Sequence, residues 1–113
     1  MVMVRERGLC CLVLGADGWL VEMVSEILES MGHSVERALS GRDAISRCEA
    51  GRFDLALIDG QEHLENARAI KARAPSARVV LMTGNPRLFE AEGVDVILQK
   101  SVSVDDLEAV ARG

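Results

Sequence analysis

Three polar side chains of complementary chemistry each come directly after an apolar run: Asp59 after 55–58, Thr83 with Gly84 after 79–82, and Lys100, with Gln99, after 94–98. A further run, 9–14, is followed by Gly15, Ala16 and Asp17. If these runs are parallel strands, their carboxyl ends share one edge, and that edge is where open α/β sheets gather ligands and chemistry. Right-handed winding sets the strands side by side, so an acid, a hydroxyl and an ammonium converge. Such a trio can handle a phosphoryl group. Each member also has a plainer use. Asp59 can complete the polar edge or pair with Lys100, Thr83 can be a turn or cap hydroxyl, and Asp17 can cap a helix by accepting from backbone N–H groups near Leu20. His33 and His63 fit no metal-ligand spacing. Cys10, Cys11 and Cys48 are odd in number, and neighbours on a strand point to opposite faces, so they make neither a disulfide framework nor a zinc site.

The elements that must position these groups alternate in type along the chain, the pattern of a parallel sheet covered on both faces. The run 9–14, bounded by Gly8 and Gly15, reads as a strand buried on both sides. From Trp19 to Met31 the apolar residues Leu20, Met23, Val24, Ile27, Leu28 and Met31 recur at three and four, with Glu22, Ser25, Glu26 and Glu29 opposite. That spacing predicts an amphipathic helix, and Gly32 stands where a left-handed cap wants glycine. A second strand falls at 35–38, and Ser40 with Asp43 opens a second helix that ends near Gly51. The run 55–58 reads as the central strand. Leu64, Ala67, Ile70 and Ala74 space a third helix that must stop before Pro75. Strand four at 79–82 leads into the turn Thr83-Gly84-Asn85-Pro86. Residues 88–92 have room for only a turn or two of helix. Strand five lies at 94–98, and Ser103 with Asp106 caps a last helix carrying Leu107, Val110 and Ala111.

At 113 residues the chain is sized for one domain, 1–113, with 1–7 read as a flexible tail. Apolar residues at 49% and charged residues at 27% suit a globular chain and exclude a disordered one. Eighteen acidic residues against 13 basic ones, with no basic stripe, give a field that repels nucleic acid and anionic membrane. No run is long enough to span a bilayer and no cleavage-site pattern is present, so the expected location is the cytoplasm.

The segments "FDLALIDG", "VVLMTG" and "VILQK", in this order, with "MGHSVERALSGRDAI" after the first helix, resemble a bacterial response-regulator receiver domain over almost the whole chain. The resemblance implies a flavodoxin-like (CheY-like) doubly wound α/β fold: a five-stranded parallel sheet of order 2-1-3-4-5, here with a shortened fourth helix. It also implies that Asp59 is the phosphoacceptor, Thr83 the switch hydroxyl, Gly84 its neighbour at the phosphate, and Lys100 the phosphate-pairing lysine. The departures are specific. Gly15 and Ala16 stand where receivers carry an acidic pair that helps hold magnesium, leaving Asp17 and Asp59 as candidate metal ligands. Ile97 takes the aromatic switch position and Ser101 replaces a proline. Trp19, Ile97 and Ser101 are candidate partner contacts.

Magnesium is typically held by one or two carboxylates plus phosphate oxygens and water, so two missing acids leave a poor site. Neutralising charge on a transferred phosphoryl group would fall chiefly to Lys100. The expected function is a receiver-like module of two-component signalling, not an enzyme. It requires no cofactor beyond an optional Mg2+ and acts through contact with protein partners, a histidine kinase or a downstream signalling protein among them. Its aspartyl phosphorylation is expected to be weakened or lost. The alternatives are a response regulator that does accept phosphate on Asp59, with Asp17 and a backbone carbonyl near Gln61 recruiting metal, and a small nucleotide or flavin binder. The last reading rests on Gly15 and Gly18 between strand and helix, with Glu36 about 20 residues on at the ribose-binding offset.

Overall fold

A computed structural model describes residues 8–60, 64–88 and 90–113. The tail at 1–7, His63 and the backbone at Gln61 lie outside the described residues. The elements are β1 (Cys10–Leu14), α1 (Gly18–Ser30), β2 (Ser34–Ala38), α2 (Gly41–Ala50), β3 (Leu55–Asp59), α3 (Leu64–Arg73), β4 (Arg78–Thr83), β5 (Val96–Gln99) and α4 (Val104–Arg112). All strand pairs are parallel, in the order β2-β1-β3-β4-β5, with β3 at the centre as its wholly apolar run requires.

Alternation along each strand divides the interior in two. Leu12, Leu14, Ala56, Ile58, Val79 and Leu81 face Ala44, Cys48, Ala67 and Ile70 of α2 and α3. Cys11, Val13, Leu55, Leu57, Val80 and Met82 face Val21, Val24 and Leu28 of α1 and Leu107 and Val110 of α4. The helix ends follow their caps. Asp17 accepts from the N–H groups of Trp19 and Leu20, and Ser40 from that of Asp43. Ser103 and Asp106 form a reciprocal capping box, an arrangement whose hydroxyl is worth about 1 kcal/mol. Gly32 has a φ of 96°, the left-handed conformation that ends α1.

Two expectations need correction. The predicted stripe of α1 is rotated: its fully buried row is Val21, Val24, Ser25 and Leu28, while Leu20, Met23, Ile27 and Met31 flank it half-buried. Ser25 belongs to the core row because it stands four residues after Val21 and three before Leu28, and its small side chain fits there. The shortened helix between β4 and β5 is absent among the described residues, where turns at 86–87 and 92–93 take its place. Pro86 lacks an N–H and biases Asn85 away from the helical region, Asn85 Oδ1 accepts the Arg87 N–H in a local turn, and Gly93 has a φ of 84°. The last helix is therefore the fourth. At the edge of the sheet, β5 is half-buried at 96–98 and exposed at Gln99, unlike β3 and β4.

The amino-terminal edge of the sheet is tied by two carboxylates. Asp54 Oδ2 accepts the Cys10 N–H at 2.9 Å, and Asp95 Oδ2 accepts both the Val79 N–H and the Lys71 ammonium at 2.8 Å. Burial works to raise the Asp95 carboxyl pKa, but the Lys71 and Val79 hydrogen bonds outweigh it and hold the group below its ordinary 3.8. A lowered pKa stabilises the folded state above the unfolded value and ceases to do so as pH falls through the folded one. Asp95→Asn is expected to lower stability at pH 7 by about 1 kcal/mol, since the pair is partly exposed. The difference between the two proteins should begin to shrink below about pH 4 and vanish only once the pH has fallen through the lowered folded value, read by urea unfolding across pH. Burial, with smaller contributions from Asp54 and Cys10, pushes the Cys11 thiol up to about 12, and burial likewise raises Cys48. Iodoacetamide at pH 8 should label exposed Cys10 in the folded protein, and Cys11 and Cys48 only after unfolding, as counted by mass spectrometry.

Candidate functional site

At the carboxyl edge three strands, β1, β3 and β5, are each extended by one backbone hydrogen bond beyond the regular ladder. Gly15 N–H donates to Ala38 O at 3.1 Å, Gly60 N–H to Met82 O at 2.9 Å, and Lys100 N–H to Thr83 O at 2.8 Å. These bonds carry Asp59, Thr83 and Lys100 to adjacent positions. Asp59 is the last residue of β3 and its side chain is 7% exposed; Lys100, whose side chain is 39% exposed, makes a direct ion pair with Asp59 Oδ1 through its ammonium. The contact is ionic: no donor among the described residues reaches that buried oxygen with hydrogen-bonding geometry. Thr83 is buried, and its Oγ1 accepts the Asn85 N–H at 3.0 Å, which is the turn-hydroxyl role. Gly84 is exposed and open, and the Lys100–Ser101 peptide bond is cis.

Asp17 does not join this pair directly in any hydrogen bond. Its Oδ1 accepts the Trp19 and Leu20 N–H groups at 3.0 and 3.3 Å, so the carboxylate faces the start of α1. Among the described residues no three His, Cys, Asp or Glu side chains are grouped to hold a metal ion. Trp19 is 72% exposed on the first turn of α1; Ile97 is half-buried against the α2–α3 core, and Ser101 is exposed. The remaining features of the dinucleotide pattern are separately engaged: Gly15 is packed against Asp59 and Val21, Gly18 stands in open space, and the Glu36 carboxylate pairs with Arg47 at 2.8 Å. The sequence reading missed the Asn85 contribution. The Asn85 carbonyl accepts Gln99 Nε2 at 3.2 Å and so links the β4 turn to the end of β5; the Asn-Pro dipeptide was the available signal.

A doubly wound five-stranded sheet with acid, hydroxyl and ammonium on consecutive strand ends defines a CheY-like flavodoxin-fold domain. The comparisons agree. The receiver-domain protein (CheY-like) of Methanospirillum hungatei superposes with a TM-score of 0.82 at 24% identity, covering 93% of this chain and 91% of that one. In sequence the chain is 33% identical over 107 residues to the transcriptional regulatory protein CrdR of Helicobacter pylori, covering 86% of this chain and 50% of CrdR. It is 30% identical over 103 residues to the aerobic respiration control sensor protein ArcB of Escherichia coli, covering 81% of this chain and 13% of ArcB. The chain thus spans half or less of the length of these two curated relatives. No family model matches it. In fold the chain is a response-regulator receiver domain of the CheY-like kind, and its sequence matches lie among proteins named as regulators and sensors. Among the described residues no helix is long and apolar enough to cross a membrane.

The unequal exposure of the two charges sets the cost of removing either. Lys100→Met strands a carboxylate that is almost fully enclosed, at about 1–3 kcal/mol. Asp59→Ala leaves an ammonium that can turn into water, at about 1 kcal/mol or less from the lost pair. Urea unfolding at pH 7 is expected to rank Lys100→Met as the more damaging; the reverse order would mean that the pair does not hold Asp59 in place.

Proposed function

We propose that this chain is a receiver-type module of two-component signalling that works through protein contacts, with phosphorylation on Asp59 weakened or lost. The observation that carries the reading is the standing Asp59–Lys100 pair beside Gly15, with the Asp17 carboxylate turned to the helix start. A divalent cation next to Asp59 would meet an ammonium already in contact with one carboxylate oxygen and a bare backbone where a second acid would be needed. The donor set does not fit magnesium, which takes oxygen ligands in near-octahedral geometry. Without that cation, the charge that builds on a phosphoryl group in transfer has Lys100 as its main counterpart. The partners in this reading are a histidine kinase or a downstream signalling protein, and the setting is cytoplasmic. If phosphate does not drive a change of state, a partner does so only by binding one conformation better than another.

A second reading is kept because Asp59, Thr83 and Lys100 are all in place: a phosphorylation-competent regulator that accepts phosphate on Asp59. Acetyl phosphate with magnesium separates the two. The expected result is an intact mass that does not change over hours. A gain of one phosphoryl mass in the native protein, lost in Asp59→Asn, would establish the second reading instead.

A further inference from the structure

His33 joins α1 to β2 and reaches back to the start of β1. Its backbone N–H donates to Leu28 O at 3.2 Å, which holds the residue against the end of α1, and its ring Nδ1 accepts the Leu9 N–H at 3.0 Å. Beside that contact, Ser34 N–H donates to Leu9 O at 2.9 Å. Residues 8 and 9 lie directly on the turn at 32–33: a β-carbon on Gly8 would run into Gly32 O and stand 3.1 Å from His33 Cα. At this edge of the sheet Cys10 N–H goes to the Asp54 carboxylate and Val79 N–H to that of Asp95, but Leu9 N–H goes to an imidazole. The difference matters. A carboxylate accepts at any pH near neutrality, whereas Nδ1 accepts only while it carries no proton.

The charges around the ring are already taken up. From α4, Glu108 and Arg112 line the same hollow as His33 and pair with one another at 3.1 Å. From α1, Glu29 is bound by Arg37 of β2, and Glu36 of β2 by Arg47. On β1 the adjacent titratable group is the exposed Cys10 thiol. The imidazole itself is half-buried, so solvent protons reach it.

We propose that His33 is a proton-operated clasp on the entry to β1: neutral, it fixes the Leu9 N–H and with it the chain at 8–9; protonated, it lets them go. Protonation turns the acceptor into a donor facing another donor. The contact is therefore present above the range in which histidine titrates, about pH 6.5, and is lost as pH falls through it. The change is confined, because Ser34 N–H still has Leu9 O and Cys10 N–H still has Asp54, so the pairing of β1 with β2 stays closed. The direction in which the chain enters the domain thus responds to mild acid while the domain stays folded. This role is independent of Asp59 and of whether it accepts phosphate.

The test is NMR of the full chain with His63, the second histidine of the sequence, replaced by Gln so that one imidazole titrates. At pH 8 the His33 ring should carry its proton on Nε2. Between pH 8 and pH 5 the Leu9 amide shift should follow the imidazole with one shared midpoint. Exchange protection of the Leu9 amide should fall by about fivefold over this range, the worth of one neutral hydrogen bond, while that of Cys10 and Ser34 holds. His33→Phe, which keeps a ring but no acceptor, should leave Leu9 at the lower protection at both pH values. A ring protonated on Nδ1 at pH 8, a Leu9 amide that does not titrate with the ring, or a pH response that survives in His33→Phe would each overturn the proposal. Should His33→Phe not fold, the ring tautomer and the shared midpoint in the histidine-bearing protein decide.

Discussion

A carboxylate at the end of the central strand of a parallel sheet has apolar layers on both sides and only the strand tips from which to draw a counter-charge. That is the position of Asp59, enclosed by the two cores and reached by one ammonium from the far side of β4. Burying an ion without a partner costs several kcal/mol, so the arrangement of the surrounding strand ends is bound to the pair. β4 ends in a buried hydroxyl that is turned into its own loop, β5 is registered so that Lys100 follows Thr83, and β1 is followed by Gly15, which packs against Asp59.

Charge is handled differently over the rest of the surface. Arg37 on edge strand β2 bridges Glu22 and Glu29 of α1, and Arg47 of α2 bridges Glu36 and Asp43. The Arg37 hydrogen bonds hold both glutamates below the ordinary carboxylate range, but these groups lie in water and such contacts add little stability. They do put charged side chains on the outer strand, which discourages pairing with another sheet edge. The consequential charges are few: the enclosed Asp59 at one end of the sheet, and at the other the partly exposed Asp95, which also accepts a backbone N–H.

Much of this could be read from residue order. The apolar runs, the caps at Asp17, Ser40 and Ser103, and the glycine after α1 each state a local physical requirement that the fold meets, and the strand ends bring Asp59, Thr83 and Lys100 together. What stayed hidden depends on geometry across the sheet. Ser25 is polar by type, and only the rotation of α1 against β1 and β3 makes it a core residue. The segment after β4 has apolar residues enough for a short helix, yet its described residues make turns at Pro86 and Gly93. Gly15 reads as an ordinary strand-end glycine until the distance to Asp59 is known.

The place of β5 at the margin also affects how the sheet opens. β3 has neighbours on both edges and a packed layer on each face, whereas β5 has one neighbour and passes from half-buried at Val96 to exposed at Gln99. Local opening free energies follow buried contact, so amide protons of 96–99 exchange with solvent through partial fraying, while those of 55–59 wait for global unfolding. Lys100 rides on the segment that frays, and Asp59 on the one that does not. The counter-ion is thus borne at the end of an edge strand, and the acid it pairs with at the end of the central one.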